Sequence, residues 1–107
     1  MLAWTYLAAA IATEVIGTVF LRFTEGFTRP LLSTLVVVTY AVSLWLTALA
    51  LRELEVSLVY AVWAGVGTAA VAVIGMAALG ESVNAIKLAS IALVIGGVVG
   101  LNLSGAH

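Results

Sequence analysis

The stretch Leu2-Ala-Trp-Thr-Tyr-Leu-Ala-Ala-Ala-Ile-Ala-Thr-Glu14-Val-Ile-Gly-Thr-Val-Phe-Leu21 carries one charge and is followed by Arg22. About 20 mostly apolar residues are what an α-helix needs to cross the hydrocarbon of a bilayer. Cutting the remaining chain at its charges and turn-formers gives three more such stretches, from about Leu31 to Leu51, Val56 to Leu79 and Ala85 to Leu103. The breaks between them are short and polar: Arg22, Glu25, Gly26, Arg29 and Pro30, then Arg52, Glu53 and Glu55, then Gly80, Glu81, Ser82 and Asn84. Pro30 suits the opening turn of a helix, and Ser82 is the expected cap of the fourth. Loops this short make sequential helices run antiparallel. The predicted fold is therefore an all-α membrane protein, a single domain over residues 1–107 with four transmembrane helices in an up-down bundle.

Composition agrees with that pattern and excludes several functions. Of 107 residues, 64% are hydrophobic and 8% charged, against about 45–50% and about 25% in soluble domains. So few charges cannot cover the surface of a small soluble fold, which leaves the lipid bilayer as solvent. A net charge of -1 with scattered bases offers no footprint for nucleic acid. The absence of Cys, with His107 as the one imidazole on the last residue, predicts no metal site and no cofactor. Asp is absent too, so a Ser-His-Asp constellation cannot be built and an enzyme is not expected. The run Ala8-Ala9-Ala10 has a small-x-small pattern, but no basic residue precedes it and Glu14 follows within the apolar stretch, so a secretory signal is not expected.

Orientation is weakly specified. Arg22, Arg29 and Lys87 fall in the first and third loops, against Arg52 and the terminal amine on the other side. Under the positive-inside rule this leans toward termini outside. A difference so small leaves room for insertion both ways or for a partner chain of opposite bias.

Eight of the nine charged side chains lie at or near predicted helix ends, where they can reach the interface. Glu14 does not. An acidic group near the bilayer centre costs about 2.5–3.5 kcal/mol on insertion scales, and such groups default to ion or substrate pathways. Structural glue between helices is the competing reading. Steps of three and four residues place Ala10, Ile11, Gly17 and Thr18 on the face of Glu14, and their small size lets a helix or ligand approach the carboxylate. In the second span Tyr40, Ser43 and Thr47 share a face, and in the third Tyr60, Trp63, Ala64 and Gly67 do. Aromatic faces attract organic cations by about 0.5–2 kcal/mol without demanding hydrogen-bond geometry. Trp4, Tyr6 and Trp45 read as interfacial anchors instead. Gly65 and Gly67 either bend the third helix or let backbones approach, while Gly96 and Gly100 form a small-xxx-small pair on the fourth.

Across essentially the whole chain, Ala-Thr-Glu14-Val-Ile-Gly17-Thr18, Glu25-Gly-Phe-Thr-Arg29, Tyr60-Ala-Val-Trp63-Ala-Gly65-Val-Gly67 and Leu101-Asn102-Leu resemble the small multidrug resistance family of bacterial exporters. The closing Ser104-Gly-Ala-His107 resembles its multidrug members. The resemblance implies a multi-pass protein of the bacterial inner membrane, an antiparallel dual-topology homodimer that exchanges protons for hydrophobic cations. It implies Glu14 as the shared proton and substrate site, Tyr40, Tyr60 and Trp63 in the substrate chamber with the Glu14-facing residues, Gly65 and Gly67 as a helix kink, and Gly97 beside Gly96 and Gly100 in the dimer contact. Arg22, Ala64 and Leu31-Leu32 depart from the usual family residues, and Ala64 removes a hydroxyl near the site. One branch of the family exports guanidinium and surrounds its carboxylate with polar partners. Here Ala10, Ile16 and Val42 are expected to leave Glu14 in apolar surroundings, which favours quaternary ammonium and polyaromatic cations, with guanidinium as the alternative. A structural or accessory membrane subunit, in which Glu14 only bonds a partner helix, is the rival from another class.

Overall fold

A computed structural model describes residues 2–104. Gly105, Ala106 and His107, and with them the chain's one imidazole, lie outside the described residues. The elements are α1 (Leu2–Arg22), α2 (Pro30–Ala50), α3 (Val56–Ala78) and α4 (Ala85–Leu103), with no strand among the described residues. Each is long and apolar enough to cross a membrane; at 1.5 Å per residue, 19 to 23 residues rise about 28–35 Å. The predicted spans and the observed helices agree to within one residue at every end. In lipid only a helix satisfies its own backbone, so the apolar runs have one conformational answer and the charges end them.

The chain divides between Leu54 and Glu55 into two compact units, one holding α1 and α2, the other α3 and α4. In the first unit, Val36, Ser43 and Ala50 are the buried residues of α2, seven apart, while α1 buries Ala3, Leu7, Ala10, Ile11, Val15 and Gly17. Seven-residue spacing is the seam of two long helices packed side by side, and the small members let the backbones approach. The connection from α1 to α2 is ordered by Thr24, which is fully buried. Its hydroxyl donates to the Leu21 carbonyl at 2.8 Å and accepts from the Phe27 amide at 3.2 Å. Its carbonyl takes the amides of Thr28 and Arg29. Pro30 opens α2, as its fixed φ favours.

In the second unit, Gly65 faces Val94 and Val98 of α4, and a Cβ at residue 65 would overlap the Val98 Cγ2 methyl. α3 runs unbroken from Val56 to Ala78, so of the two readings of Gly65 the close approach of helices is the one with a visible contact. α4 buries none of its residues. Its cap is Asn84 rather than Ser82: the Asn84 Oδ1 accepts the Lys87 amide at 2.8 Å. α4 starts at Ala85, which places Ser82 too far upstream to cap, and its carbonyl instead accepts the Lys87 ammonium at 3.1 Å. Gly80, at φ 71°, turns the chain so that the Glu81 amide donates to the Gly75 carbonyl at 3.0 Å. The Glu81 carboxylate then lies in the space a side chain at residue 75 would fill.

Candidate functional site

Glu14 sits well inside α1, half-buried, with Thr18 one turn further along the same face. The Thr18 hydroxyl donates to Glu14 Oε1 at 2.9 Å, and its oxygen lies 2.7 Å from the Tyr40 hydroxyl of α2. A threonine hydroxyl has one proton. With that proton directed at the carboxylate, Tyr40 must be the donor of the second bond, so the order is Tyr40 to Thr18 to Glu14. The second carboxylate oxygen, Oε2, has no hydrogen bond to a described residue.

Gly17 makes this order possible. A Cβ there would stand 2.7 Å from Thr39 Oγ1 and 3.0 Å from the Tyr40 ring, closer than packed atoms tolerate. The missing side chain lets α2 come near enough for Tyr40 to reach Thr18. One to two turns toward the N-terminus, buried Ser43 donates across from α2 to the Ala10 carbonyl at 2.7 Å. Thr13 donates to the same carbonyl, and to that of Ala9, both at 3.0 Å. Two interhelical bonds thus flank Glu14, each contributing on the order of 0.6 kcal/mol in a membrane.

The expectation that Glu14 has apolar surroundings without polar partners is therefore corrected. Ile16 and Val42 are 48% and 38% exposed, and Thr18 with Tyr40 supplies the polar neighbours instead. Period alone shows which side chains share a helix face; it does not show which residue of the next helix stands opposite. Of the residues expected on the Glu14 face, Ala10, Ile11 and Gly17 are buried and Thr18 is half-buried. Thr39, which the sequence reading did not single out, packs against Gly17; its place beside Tyr40 is the only signal the sequence carries for it.

Tyr60 and Trp63 belong to the second unit. Their rings stack with centroids 6.3 Å apart and planes 23° from parallel, and Tyr60 is 68% exposed. The Trp63 indole nitrogen is buried without a hydrogen-bond partner. Gly65 and Gly67 are buried, whereas Gly96, Gly97 and Gly100 are exposed with open space over each. A cavity of about 360 Å³ in the first unit, lined by Leu2, Tyr6, Leu49, Arg52 and Glu53, lies at the other end of α1 from Thr18 and does not include Glu14. Among the described residues no group of His, Asp and Glu side chains could hold a metal ion.

Comparison with known proteins identifies the family of the chain. The family described as Small Multidrug Resistance protein matches residues 2–94, a span that includes Glu14, Thr18, Tyr40 and Trp63. The nicotine metabolites export pump subunit NepB of Paenarthrobacter nicotinovorans is 48% identical over 102 residues, covering 95% of this chain and 61% of NepB. The chain thus spans about three fifths of that relative's length. The guanidinium exporter of Escherichia coli K12 is 42% identical over 103 residues, 96% of this chain and 98% of that protein. The multidrug resistance protein mmr of Mycobacterium leprae is 39% identical over 107 residues, 99% and 100% of the two chains.

Proposed function

The chain belongs to the Small Multidrug Resistance family and is a multi-pass protein of the bacterial inner membrane, and from that premise we propose that it exports hydrophobic organic cations in exchange for protons, with Glu14 as the site that both occupy. One observation carries the reading: a carboxylate inside a membrane span has Oε1 held by Thr18 and Oε2 without a protein partner among the described residues. A charged carboxylate facing lipid is costly. A proton or a cation removes that cost, and the two compete for the same charge. The empty charged site crosses the membrane rarely, and this couples the two flows.

Quaternary ammonium and polyaromatic cations fit the available chemistry. The Thr18 proton is engaged by Glu14 and the Ser43 proton by Ala10, so this hairpin offers few oriented groups beyond Oε2 to a ligand that needs many. A lipophilic cation is held by charge and by aromatic faces such as the stacked Tyr60 and Trp63. The working unit is an antiparallel pair of copies, with the glycine face of α4 as the contact. The second reading is guanidinium export, favoured by the 42% identity to a protein of that name and by the hydroxyl partner of Glu14. Liposomes under an imposed pH gradient separate the two when a quaternary ammonium cation and guanidinium are assayed side by side. Faster uptake of guanidinium overturns the preferred substrate.

The site itself is tested by proton release. Purified protein in weakly buffered detergent acidifies the medium when tetraphenylphosphonium is added, and E14Q does not. Absence of release from the unmodified protein at every pH would favour an accessory subunit in which Glu14 only bonds a helix.

A further inference from the structure

The chain of hydroxyls behind Glu14 is continuous, and the continuity has a use. Oε1 accepts from Thr18 at 2.9 Å and the Thr18 and Tyr40 hydroxyl oxygens lie 2.7 Å apart, while Oε2, without a hydrogen bond among the described residues, is the oxygen left for a ligand. Tyr40 is half-buried, and within α1 and α2 the other titratable side chains are Tyr6 and Arg22, more than one helical turn from Glu14 along α1. We propose that Thr18 and Tyr40 form a proton relay, through which Glu14 gives up its proton from the Oε1 side while an organic cation arrives at Oε2.

The step balances. A protonated Glu14 donates from Oε1 to Thr18, Thr18 donates to Tyr40, and Tyr40 donates to water. When the protons shift together, each oxygen passes one on and receives one: Glu14 loses its O–H bond, Thr18 and Tyr40 each break one O–H bond and form another, and the water becomes hydronium. The hydroxyls are left pointing Tyr40 to Thr18 to Glu14, and the same 2.9 and 2.7 Å spacings serve the order before the shift and the order after it. Gly17 holds the path closed, because it sets the approach of Tyr40. Exchange through two different oxygens spares the site an empty charged state in lipid, which costs about 2.5–3.5 kcal/mol for an acidic group near a span's centre.

This inference rests on Glu14 being the shared site, and its test separates the two. The release of protons on mixing with saturating tetraphenylphosphonium is followed by stopped flow with a pH dye; saturation removes any change in affinity. A positioned proton-transfer group contributes about 10²–10⁴-fold, so T18V and Y40F slow the release on the order of 100-fold, and T18S, which keeps the hydroxyl, restores most of it. In mixtures of light and heavy water the rate of the unmodified protein curves with deuterium content, as expected when several protons move together, and that of T18V does not. A merely structural Thr18 would leave that curvature unchanged. Release as fast in T18V and Y40F as in the unmodified protein, or a linear dependence in the latter, overturns the relay alone. No release from the unmodified protein overturns the shared site and the relay with it. Should T18V fail to fold, Y40F decides, since it keeps the ring and removes only the hydroxyl.

Discussion

The two hairpins are built from similar amounts of apolar sequence but are held differently. Between α1 and α2, Ser43 bonds the Ala10 carbonyl and Tyr40 bonds Thr18, so hydrogen bonds in lipid set the helices' register. Between α3 and α4 the visible contact is packing, Gly65 against Val94 and Val98, and α4 buries nothing. The proposed exchange site lies in the first hairpin. The second offers an aromatic pair and an open glycine face.

That contrast can be broken by mutation, starting with the largest effect. E14Q removes the one charge inside the apolar stretch of α1 and is expected to abolish both proton release and transport while the helices remain, checked by pH-dye traces and by circular dichroism. Next is W63L in the second hairpin. A cation over an indole gains about 0.5–2 kcal/mol, so tetraphenylphosphonium affinity falls by about 2- to 30-fold, measured by titration calorimetry. Proton binding at Glu14 persists; equal loss of both in a folded protein would make Trp63 scaffold.

G17A asks whether the close approach of α2 matters. Its Cβ collides with Thr39 and the Tyr40 ring, and overpacking of this kind costs about 1–3 kcal/mol. Denaturation in micelles should show that loss, and the paired change T39A, which frees the nearest atom, should recover part of it. S43A is smaller still: one interhelical bond worth about 0.6 kcal/mol. A loss several times larger would mean that Ser43 holds the first hairpin together, and the contrast with the second would sharpen. No change at all would reduce the contrast to packing in both.

The ends of all four helices were readable because the physics acting on them is local. Arg22, Arg52, Glu55 and Glu81 cannot sit in hydrocarbon, and the runs between them must be helical. Glu14 stood out for the same reason, as the one charge without an interface nearby. The cap of α4 was misplaced by two residues, since Ser82 and Asn84 both cap well and only the first turn of the helix chooses between them. The contacts across the hairpin around Glu14 were not readable, for a deeper reason. Thr18 was placed on its face by helical period, but Tyr40, Thr39 and Ser43 come from another helix, and neighbours across a helix pair depend on axial register and rotation.

What the amino acids determined alone is the number of spans, their limits, the lipid surroundings and the single acid within them, because each follows from the transfer of one segment between water and hydrocarbon. The tertiary structure decided that Tyr40 of the next helix stands behind the Thr18 hydroxyl that this acid holds. That depends on the missing side chain of Gly17 and the distance it permits between α1 and α2, and a packing distance is a property of two surfaces together.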